Sequence, residues 1–378
     1  MAVSNTSRPR ETGREGDHKT VPNEAQILQA LKAVIDPDLH RDIVTLGFVK
    51  DVAVCDGLVK VTLELTTPAC PVKDEMKAQA ERAIRALPGV ESVAIKMDAQ
   101  VRPTLGEAGK ALIPTVRNVI PIGSGKGGVG KSTVSANVAV ALAQTGARVG
   151  LMDADVYGPS IPTILGITAQ PVAGENGIIP VDAYGVKVIS MGFFLRPDQA
   201  VVWRGPMLSK MIEQFLGGVE WGEIDYLIVD LPPGTGDIQL SLCQRIPITG
   251  AAIVSTPQDV ALNIAEKAVI MFNQLHTPIL GLIENMSYFI CTHCGAREDI
   301  FDTGGARRAA ERLGTPFLGE IPLATRLRET SDSGVPIVIS DPTSPAAIAF
   351  QQIARNLAAQ ISIRNAQDSE VAPVRITF

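Results

Sequence analysis

The chain has 378 residues, of which 46% are hydrophobic, 20% charged and only 4% aromatic, and its formal net charge at pH 7 is −6. This length predicts two domains, and the composition is that of a globular protein that buries a substantial core. The acidic balance argues against a broad basic face for nucleic acid, and the few aromatic side chains offer little surface on which bases could stack.

No membrane or secretory segment is predicted. The sequence lacks a run of about 18 apolar residues that would span a bilayer, and residues 1–20 lack the apolar core of a signal peptide. The cysteines form an odd set with one close pair, which suits a reducing compartment better than a disulfide framework: Cys55, Cys70, Cys243, Cys291 and Cys294. We therefore expect a cytoplasmic protein with no membrane partner.

The N-terminal part of the chain predicts a small α+β domain at residues 21–98, preceded by a polar, disordered tail at residues 1–20. The predicted elements of this domain are a helix within Asn23–Ile35, strands at Phe48–Val54 and Leu58–Leu65, a helix at Val72–Leu87 and a strand at Val90–Lys96. Asp56-Gly57 is typical of a tight hairpin between the first two strands.

A second, larger domain is predicted at residues 118–364, after a linker at residues 99–117 that is rich in proline and glycine. Apolar runs alternate here with helical stretches, which indicates an α/β fold with a mostly parallel, doubly wound sheet. The runs are Val119–Ile122, Arg148–Met152, Val186–Ile189, Tyr226–Val229, Ala251–Val254, Ile279–Ile283 and Phe317–Ile321. Residues 365–378 are predicted to be a mobile tail.

A glycine-rich segment between the first of these strands and a helix at Ser132–Gln144 predicts a phosphate site. Gly125 to Ser132 matches the pattern G-x-x-x-x-G-K-[ST], whose glycines let backbone N–H groups converge on phosphate oxygens. Lys131 would reach the β- and γ-phosphates, and the Ser132 hydroxyl would bind Mg²⁺. The predicted nucleotide-binding residues of this P-loop are Gly125, Lys126, Gly127, Gly128, Val129, Gly130, Lys131, Ser132 and Thr133.

Two carboxylate clusters follow strands of the predicted sheet. Asp153 and Asp155 follow one strand, and Asp230 begins the segment Asp230-Leu-Pro-Pro-Gly-Thr-Gly-Asp237 after another. Either cluster alone is typical of a turn or a helix cap. An aspartate directly after an apolar strand of a P-loop protein is placed to hold the hydration shell of Mg²⁺, which assigns this role to Asp230.

Lys126, the second lysine of the P-loop, makes Gly125–Thr133 similar to the deviant Walker A motif of the MinD/ParA/nitrogenase-iron-protein ATPases. Together with this motif, four further segments resemble the Mrp/ApbC family of ATP-binding iron–sulfur cluster carriers: Asp153–Ser160, Asp230–Asp237, Glu284–Phe289 and Cys291–Cys294. Thr67-Pro-Ala-Cys70, with Asp36-Pro-Asp38 upstream, resembles the PaaD/SufT-like domain linked to iron–sulfur assembly.

The resemblance implies catalytic roles for Lys126, Lys131, Asp155 and Asp230. Lys126 would reach the nucleotide of the opposite subunit in an ATP-bound homodimer, and Asp155 would orient or activate the attacking water. Asp230 would contact Mg²⁺ through water, and Asn285, at the end of a strand, would recognise adenine. A lysine supplied by a partner can stabilise transferred phosphoryl charge in the manner of an arginine finger.

Cys291 and Cys294 supply two thiolates, half of what a tetrahedral zinc or a four-cysteine iron–sulfur cluster takes. The resemblance implies that one pair from each subunit holds a [4Fe–4S] cluster, which is handed to apo-proteins and received from an assembly scaffold. Shared zinc and a redox-active or buried pair remain alternatives, and His293 is interpreted as a bystander. Cys243 is expected in the core, Cys55 has no assigned role, and Cys70 is either a functional thiol or a loop residue.

Two other functions remain open on the sequence alone. One is a positioning ATPase like MinD or ParA, and the other is an ATP-dependent electron donor like the nitrogenase iron protein. The pair Cys291/Cys294 would be unexplained in the former, whereas the latter shares the cysteine site.

Overall fold

The computed structural model describes residues 21–55, 57–104, 112–195, 205–234, 239, 242, 243, 246–291 and 293–371. The predicted tail at residues 1–20, Asp56 of the hairpin and the stretch 235–238 lie outside these residues. Contacts divide the chain into two compact units. The first consists of Met1–Glu64 and Lys73–Asp98, and the second of Leu65–Val72 and Ala99–Phe378.

The first unit contains a three-stranded sheet in the order β1-β2-β3. Its elements are α1 (Glu24–Leu31), β1 (Val49–Cys55), β2 (Leu58–Leu65), α2 (Lys73–Arg85) and β3 (Ser92–Ala99). β1 and β2 form the expected antiparallel hairpin. α1 begins with a capping box in which Asn23 and Gln26 each bind the backbone N–H of the other.

The first helix ends earlier than the apolar spacing predicts. Its last residue is Leu31, whereas the predicted helix reached Ile35. The chain turns instead, because Oδ1 of the buried Asp36 accepts the N–H groups of Asp38 at 2.9 Å and Leu39 at 2.8 Å. Such local side-chain bonds offer the backbone an alternative to the helical pattern.

The second unit is built on a nine-stranded sheet in the order β13-β12-β11-β4-β10-β5-β9-β8, with β14 also paired to β12. The strands are β4 (Val119–Ser124), β5 (Val149–Asp153), β8 (Val181–Ala183), β9 (Val186–Ser190), β10 (Tyr226–Asp230), β11 (Ala251–Ser255), β12 (Ile279–Ile290), β13 (Arg297–Glu298) and β14 (Phe317–Leu323). β6 (Val172–Ala173) and β7 (Ile178–Ile179) form a separate small ribbon. Among the strands that the structure describes, only β8 and β13 pair antiparallel with this sheet, so its centre is parallel.

Helices flank this sheet. They are α3 (Lys131–Gln144), α4 (Ile161–Ile164), α5 (Gly205–Gly217), α6 (Asp259–Gln274), α7 (Gly305–Leu313), α8 (Thr325–Asp332), α9 (Ile337–Ser340) and α10 (Pro345–Val371), with a 3₁₀ turn at Met191–Phe193. Every residue of β4, β5, β10 and β11 is buried. Continuous apolar strands of this kind require helices on both faces, which places the carboxyl ends of the central strands at one edge.

The C-terminal helix corrects one expectation. The predicted tail from residue 365 is wrong up to Val371, because α10 continues through it. Asn365 is only 2% exposed, and its Nδ2 donates to Oδ1 of Asn118 and to the carbonyl of Arg102, each at 2.9 Å. These bonds fix the last part of α10 to the start of β4; residues 372–378 lie outside the described chain.

The segment Leu65–Val72 lies within the predicted small domain, where a loop was expected at Thr66–Pro71, but it belongs to the second unit. Tyr226, at the start of β10, is fully buried and donates its hydroxyl to Oγ1 of Thr67 at 2.9 Å. Ala69 belongs to the hydrophobic core of the same unit. The base of a central strand is therefore covered by residues from early in the sequence.

Candidate functional site

The P-loop connects β4 to α3 and follows the conformation that its glycines allow. Gly128 and Gly130 have φ values of +78° and +81°, in the left-handed region that favours glycine. At Gly125 an added Cβ would lie 2.6 Å from the backbone of Ile264, so only glycine fits. The loop lines a cavity of about 440 Å³ together with Asp155 and other residues of the same unit. Backbone N–H groups at the start of α3 suit an anion in this position.

Asp230, the last residue of β10, lies at the centre of a buried polar cluster. Its Oδ2 accepts Nζ of Lys131 at 2.8 Å and the hydroxyl of Ser132 at 2.6 Å, and its Oδ1 accepts the hydroxyl of Ser135 at 2.6 Å. Asp230 is fully buried and Lys131 is 6% exposed. Sequence reasoning missed Ser135, whose signal is its position one helical turn after Lys131 on the face of α3 towards β10.

The first carboxylate cluster separates into two different environments. Asp153 is fully buried beside Asp230, and burial together with that neighbouring carboxyl raises the pKa of Asp153 to about 8. Its Oδ2 accepts the hydroxyl of Ser190 at 2.8 Å. Asp155 is partly exposed on the cavity, 3.8 Å from Nζ of Lys131. Burial raises the pKa of Asp155, and the charge of Lys131 partly offsets this rise.

Lys126 contacts Gln258, a residue that the sequence analysis did not single out. Its Nζ donates to Oε1 of Gln258 at 3.3 Å, and the same oxygen accepts the hydroxyl of Thr256 at 3.3 Å. Gln258 immediately precedes α6. No motif marks it, because the contact joins residues that are 132 positions apart.

Asn285 contacts the P-loop directly. Its Nδ2 donates to the carbonyl of Val129 at 2.8 Å, and a Cβ added at Gly130 would collide with the same amide group. Within the described residues, Oδ1 of Asn285 is buried and accepts no hydrogen bond. An orphaned buried acceptor is unfavourable unless a ligand donates to it, so this oxygen fits a donor such as an adenine amino group. Asn285 lies within β12, not at its end as predicted, because the strand continues to Ile290.

The two cysteines lie on a hairpin formed by β12 and β13. Phe289 and Ile290 pair with Glu298 and Arg297, and the Cys291 N–H donates to the carbonyl of Ala296 at 2.9 Å. The turn is closed by the Gly295 N–H, which donates to the carbonyl of Cys291 at 2.9 Å.

Both cysteines are accessible from solvent. Cys294 and His293 are exposed, Cys291 is partly exposed, and Thr292 lies outside the described residues. Backbone N–H groups of Cys294 and His293 lower the pKa of the Cys291 thiol. This favours the thiolate, the form that binds metal.

The described residues bring no third metal ligand to Cys291 and Cys294. In the described part of the molecule, no group of three or more histidine, cysteine, aspartate or glutamate side chains could hold a metal ion. A four-coordinate metal or cluster at Cys291 and Cys294 would therefore take further ligands from outside these residues.

The other cysteines differ in their surroundings. Cys243, predicted in the core, is half-buried against it, and burial raises the pKa of its thiol while a bond with Thr277 opposes the rise. Cys55 is exposed and Cys70 is half-buried in the segment Leu65–Val72. Across the residues described, no helix has both the length and the apolar character that crossing a membrane requires.

The glycine loop lies between a buried strand and a helix, with Lys131 and Ser132 at the start of the helix and Asp230 on the adjacent strand. This arrangement defines a P-loop NTPase. The chain belongs to the family described as NUBPL iron-transfer P-loop NTPase, whose model matches residues 115–358. The model of an iron-sulfur cluster assembly protein family matches residues 24–97. The predicted family resemblance and fold class are thereby confirmed.

Relatives over nearly the whole length support this assignment. An iron-sulfur cluster carrier protein of Synechocystis sp. is 49% identical over 343 residues, covering 89% of this chain and 97% of that protein. One from Deinococcus radiodurans is 49% identical over 340 residues, covering 89% and 95%. The structure of a nucleotide-binding protein from Archaeoglobus fulgidus, in complex with ADP and with Co found by PIXE, is 42% identical with a TM-score of 0.55, covering 60% of this chain and 90% of that one.

Proposed function

We propose that the protein is an ATP-binding and ATP-hydrolysing carrier that holds a [4Fe–4S] cluster between two copies of the chain and delivers it to apo-proteins. Membership of an iron-transfer P-loop NTPase family and the names of the full-length relatives support this proposal. A reducing compartment such as the cytoplasm would keep the cysteines available as thiols.

The observation that carries the proposal is the hairpin with Cys291 and Cys294. It presents two accessible cysteines on a turn, with the thiolate of Cys291 favoured, and the described chain brings no third ligand to them. A cluster with four cysteine ligands would be completed by the same pair from a second copy. A cluster shared at such an exposed turn could be released without unfolding either subunit.

The nucleotide site supplies the residues for phosphoryl transfer. The P-loop amides and Lys131 would bind the phosphates, and Ser132 and Asp230 would hold Mg²⁺, which neutralises charge on the phosphate oxygens when bound. Asp155 lines the cavity and would orient the attacking water. Lys126 is held by Gln258 in one chain, and in a dimer it would reach the nucleotide of the other copy.

Anaerobic reconstitution tests the cluster. The full chain is loaded with iron and sulfide, and iron, sulfide and zinc are measured per chain together with the oligomeric state. The wild type should take up four irons per two chains, whereas Cys291→Ala/Cys294→Ala should take up none. Cys55→Ala is the matched control, since Cys55 is exposed on the other unit and should load normally. Full loading of the double variant, or zinc in place of iron, refutes the assignment.

Transfer to an acceptor separates a carrier from an electron donor. The loaded protein is mixed with an apo iron–sulfur enzyme, with and without Mg-ATP and with no redox partner present. A carrier should restore the acceptor's activity and lose its own cluster absorbance. Failure to restore activity while the cluster is retained contradicts the carrier function.

A further inference from the structure

β12 carries the proposed base contact and the cysteine pair on one strand, and it is irregular between them. Asn285 pairs with Ile321 of β14, and Phe289 pairs with Leu323. Between these two pairs, β12 advances by four residues and β14 by only two, so β12 has a bulge there. The residue after Asn285 is Met286, whose φ is +57°. A non-glycine residue in this region is strained, and such strain persists only where surrounding contacts hold it.

Glu284 holds this bulge from inside. The side chain is fully buried, and Oε1 accepts the hydroxyl of Ser287 at 2.6 Å and the N–H of Gly304 at 2.8 Å. Oε2 accepts the N–H of Ala306 at 2.6 Å. The carboxylate thus joins Ser287, within the bulge, to the start of α7, where negative charge is favoured by the helix dipole.

Thr303 extends the contacts from the bulge to the cysteine hairpin. Its Oγ1 lies 3.1 Å from the Ser287 hydroxyl and accepts Nη2 of Arg297 at 3.1 Å. Arg297 lies on β13 opposite Ile290, and its guanidinium stacks 4.0 Å above the ring of Tyr288. A chain of direct contacts therefore runs from the neighbour of Asn285 to the strand that follows the cysteine turn.

We infer that Glu284, Ser287, Thr303 and Arg297 form a relay that makes the position of the cysteine hairpin depend on whether a nucleotide base is bound at Asn285. A base that donates to Oδ1 of Asn285 fixes this part of β12 against the P-loop carbonyl of Val129. The relay passes this restraint to β13, so the hairpin opens less often. The four are positioning residues, and the inference rests on the proposed function for the roles of Asn285 and the cysteine pair.

Because the two thiols are accessible even when the hairpin is closed, the test measures hydrogen–deuterium exchange of the hairpin amides instead. The reduced, metal-free full chain is compared with and without Mg-ADP, which carries the base but no γ-phosphate. Exchange is followed at the N–H groups of Cys291 and Gly295, which donate to the carbonyls of Ala296 and Cys291 in the closed hairpin. The amides of the β1–β2 hairpin in the first unit are the internal reference. Mg-ADP should slow exchange of these two hairpin amides, Cys291 and Gly295, about fivefold in the wild type, the equivalent of one net hydrogen bond of ~1 kcal/mol at 1.4 kcal/mol per tenfold.

Matched variants locate the effect in the relay. Thr303→Val removes the bridging hydroxyl and should abolish the slowing while ADP affinity stays within about twofold, and Thr303→Ser should restore it. Arg297→Met should behave as Thr303→Val does. Arg307→Met is the control, because Arg307 stacks on Phe317 at 4.3 Å in the same unit and makes no bond to the relay; it should keep the full slowing.

The inference is overturned if Mg-ADP does not slow amide exchange in the hairpin of the wild type, or if it slows exchange in Thr303→Val as much as in the wild type. The inference is also overturned if Arg307→Met loses the effect of Mg-ADP as fully as Thr303→Val does. The effect would then report a general loss of rigidity in this unit and not the relay. None of these outcomes depends on a bound cluster. Failure of the proposed function would instead appear as iron loading that is independent of Cys291 and Cys294.

Discussion

Replacing Lys131 by Met would remove the positive charge that lies against Asp230. Nζ of Lys131 is 2.8 Å from Oδ2 of Asp230, and both residues are buried. Asp153, fully buried on the neighbouring strand, adds a second carboxyl to the same region. The variant would leave these acids with only neutral hydrogen-bond donors, such as the hydroxyls of Ser132 and Ser135.

The size of the effect follows from the remaining contacts. Removing one partner of a buried ion pair lowers the free energy of unfolding by about 3–5 kcal/mol. Because Asp230 keeps two hydroxyl donors, we expect the lower value, about 3 kcal/mol. In Lys131→Met/Asp230→Asn the uncompensated charge is gone, and the loss should fall to about 1 kcal/mol. Both variants should lack ATPase activity, since neither retains the lysine proposed to bind the phosphates.

Urea unfolding of the nucleotide-free full chain measures these differences. In a Trp203→Phe background, Trp221 is the single tryptophan, and its indole is buried with Nε1 bonded to the carbonyl of Phe215 at 3.0 Å. Lys126→Met is the control; this lysine is partly exposed and the change should stay within about 0.5 kcal/mol. If Lys131→Met is as stable as the wild type, or the double variant is no more stable than the single one, the reasoning is refuted.

Three further outcomes are expected. Gly130→Ala should lower nucleotide affinity at least about tenfold, measured by calorimetry, because the added Cβ collides with Asn285. Gly314→Ala is the control: its φ is also positive, but its Cβ would meet open space, so it should lower the free energy of unfolding by only about 1 kcal/mol. Asn285→Ala should reduce ATP affinity about tenfold and reduce the preference for ATP over GTP. If the preference for ATP over GTP is unchanged, Asn285 does not contact the base. The pH at which alkylation is half-maximal should be lower for Cys291 than for Cys243, because hydrogen bonds lower one pKa and burial raises the other; the reverse order contradicts the hairpin geometry.

Local patterns predicted the centre of the sheet and the P-loop well. The apolar runs at β4, β5, β10 and β11 are buried on both faces, and the glycine spacing at Gly125–Ser132 allows few conformations other than the loop observed. Asp230 could be placed because it directly follows an apolar strand. These features depend on residues close together in the sequence.

Features that depend on distant partners were missed or misjudged. The strand through Asn285 was expected to end early, because Glu284, Asn285 and Ser287 are polar, yet Glu284 and Ser287 are bonded inside the fold. The end of α10 looked like a tail, since no local signal shows that Asn365 binds Asn118. Gln258 beside Lys126 and Thr303 beside Ser287 likewise carry no motif.

The placement of Leu65–Val72 affects where the protein can be divided. A fragment beginning at Ala99 would contain the whole nucleotide sheet but would lack Thr67 and Ala69. Tyr226 would then have a buried hydroxyl with no acceptor from Thr67, at the start of the strand that ends in Asp230. The compact unit that holds the P-loop is therefore discontinuous in sequence, and a fusion or truncation has to retain this early segment to keep the base of β10 covered.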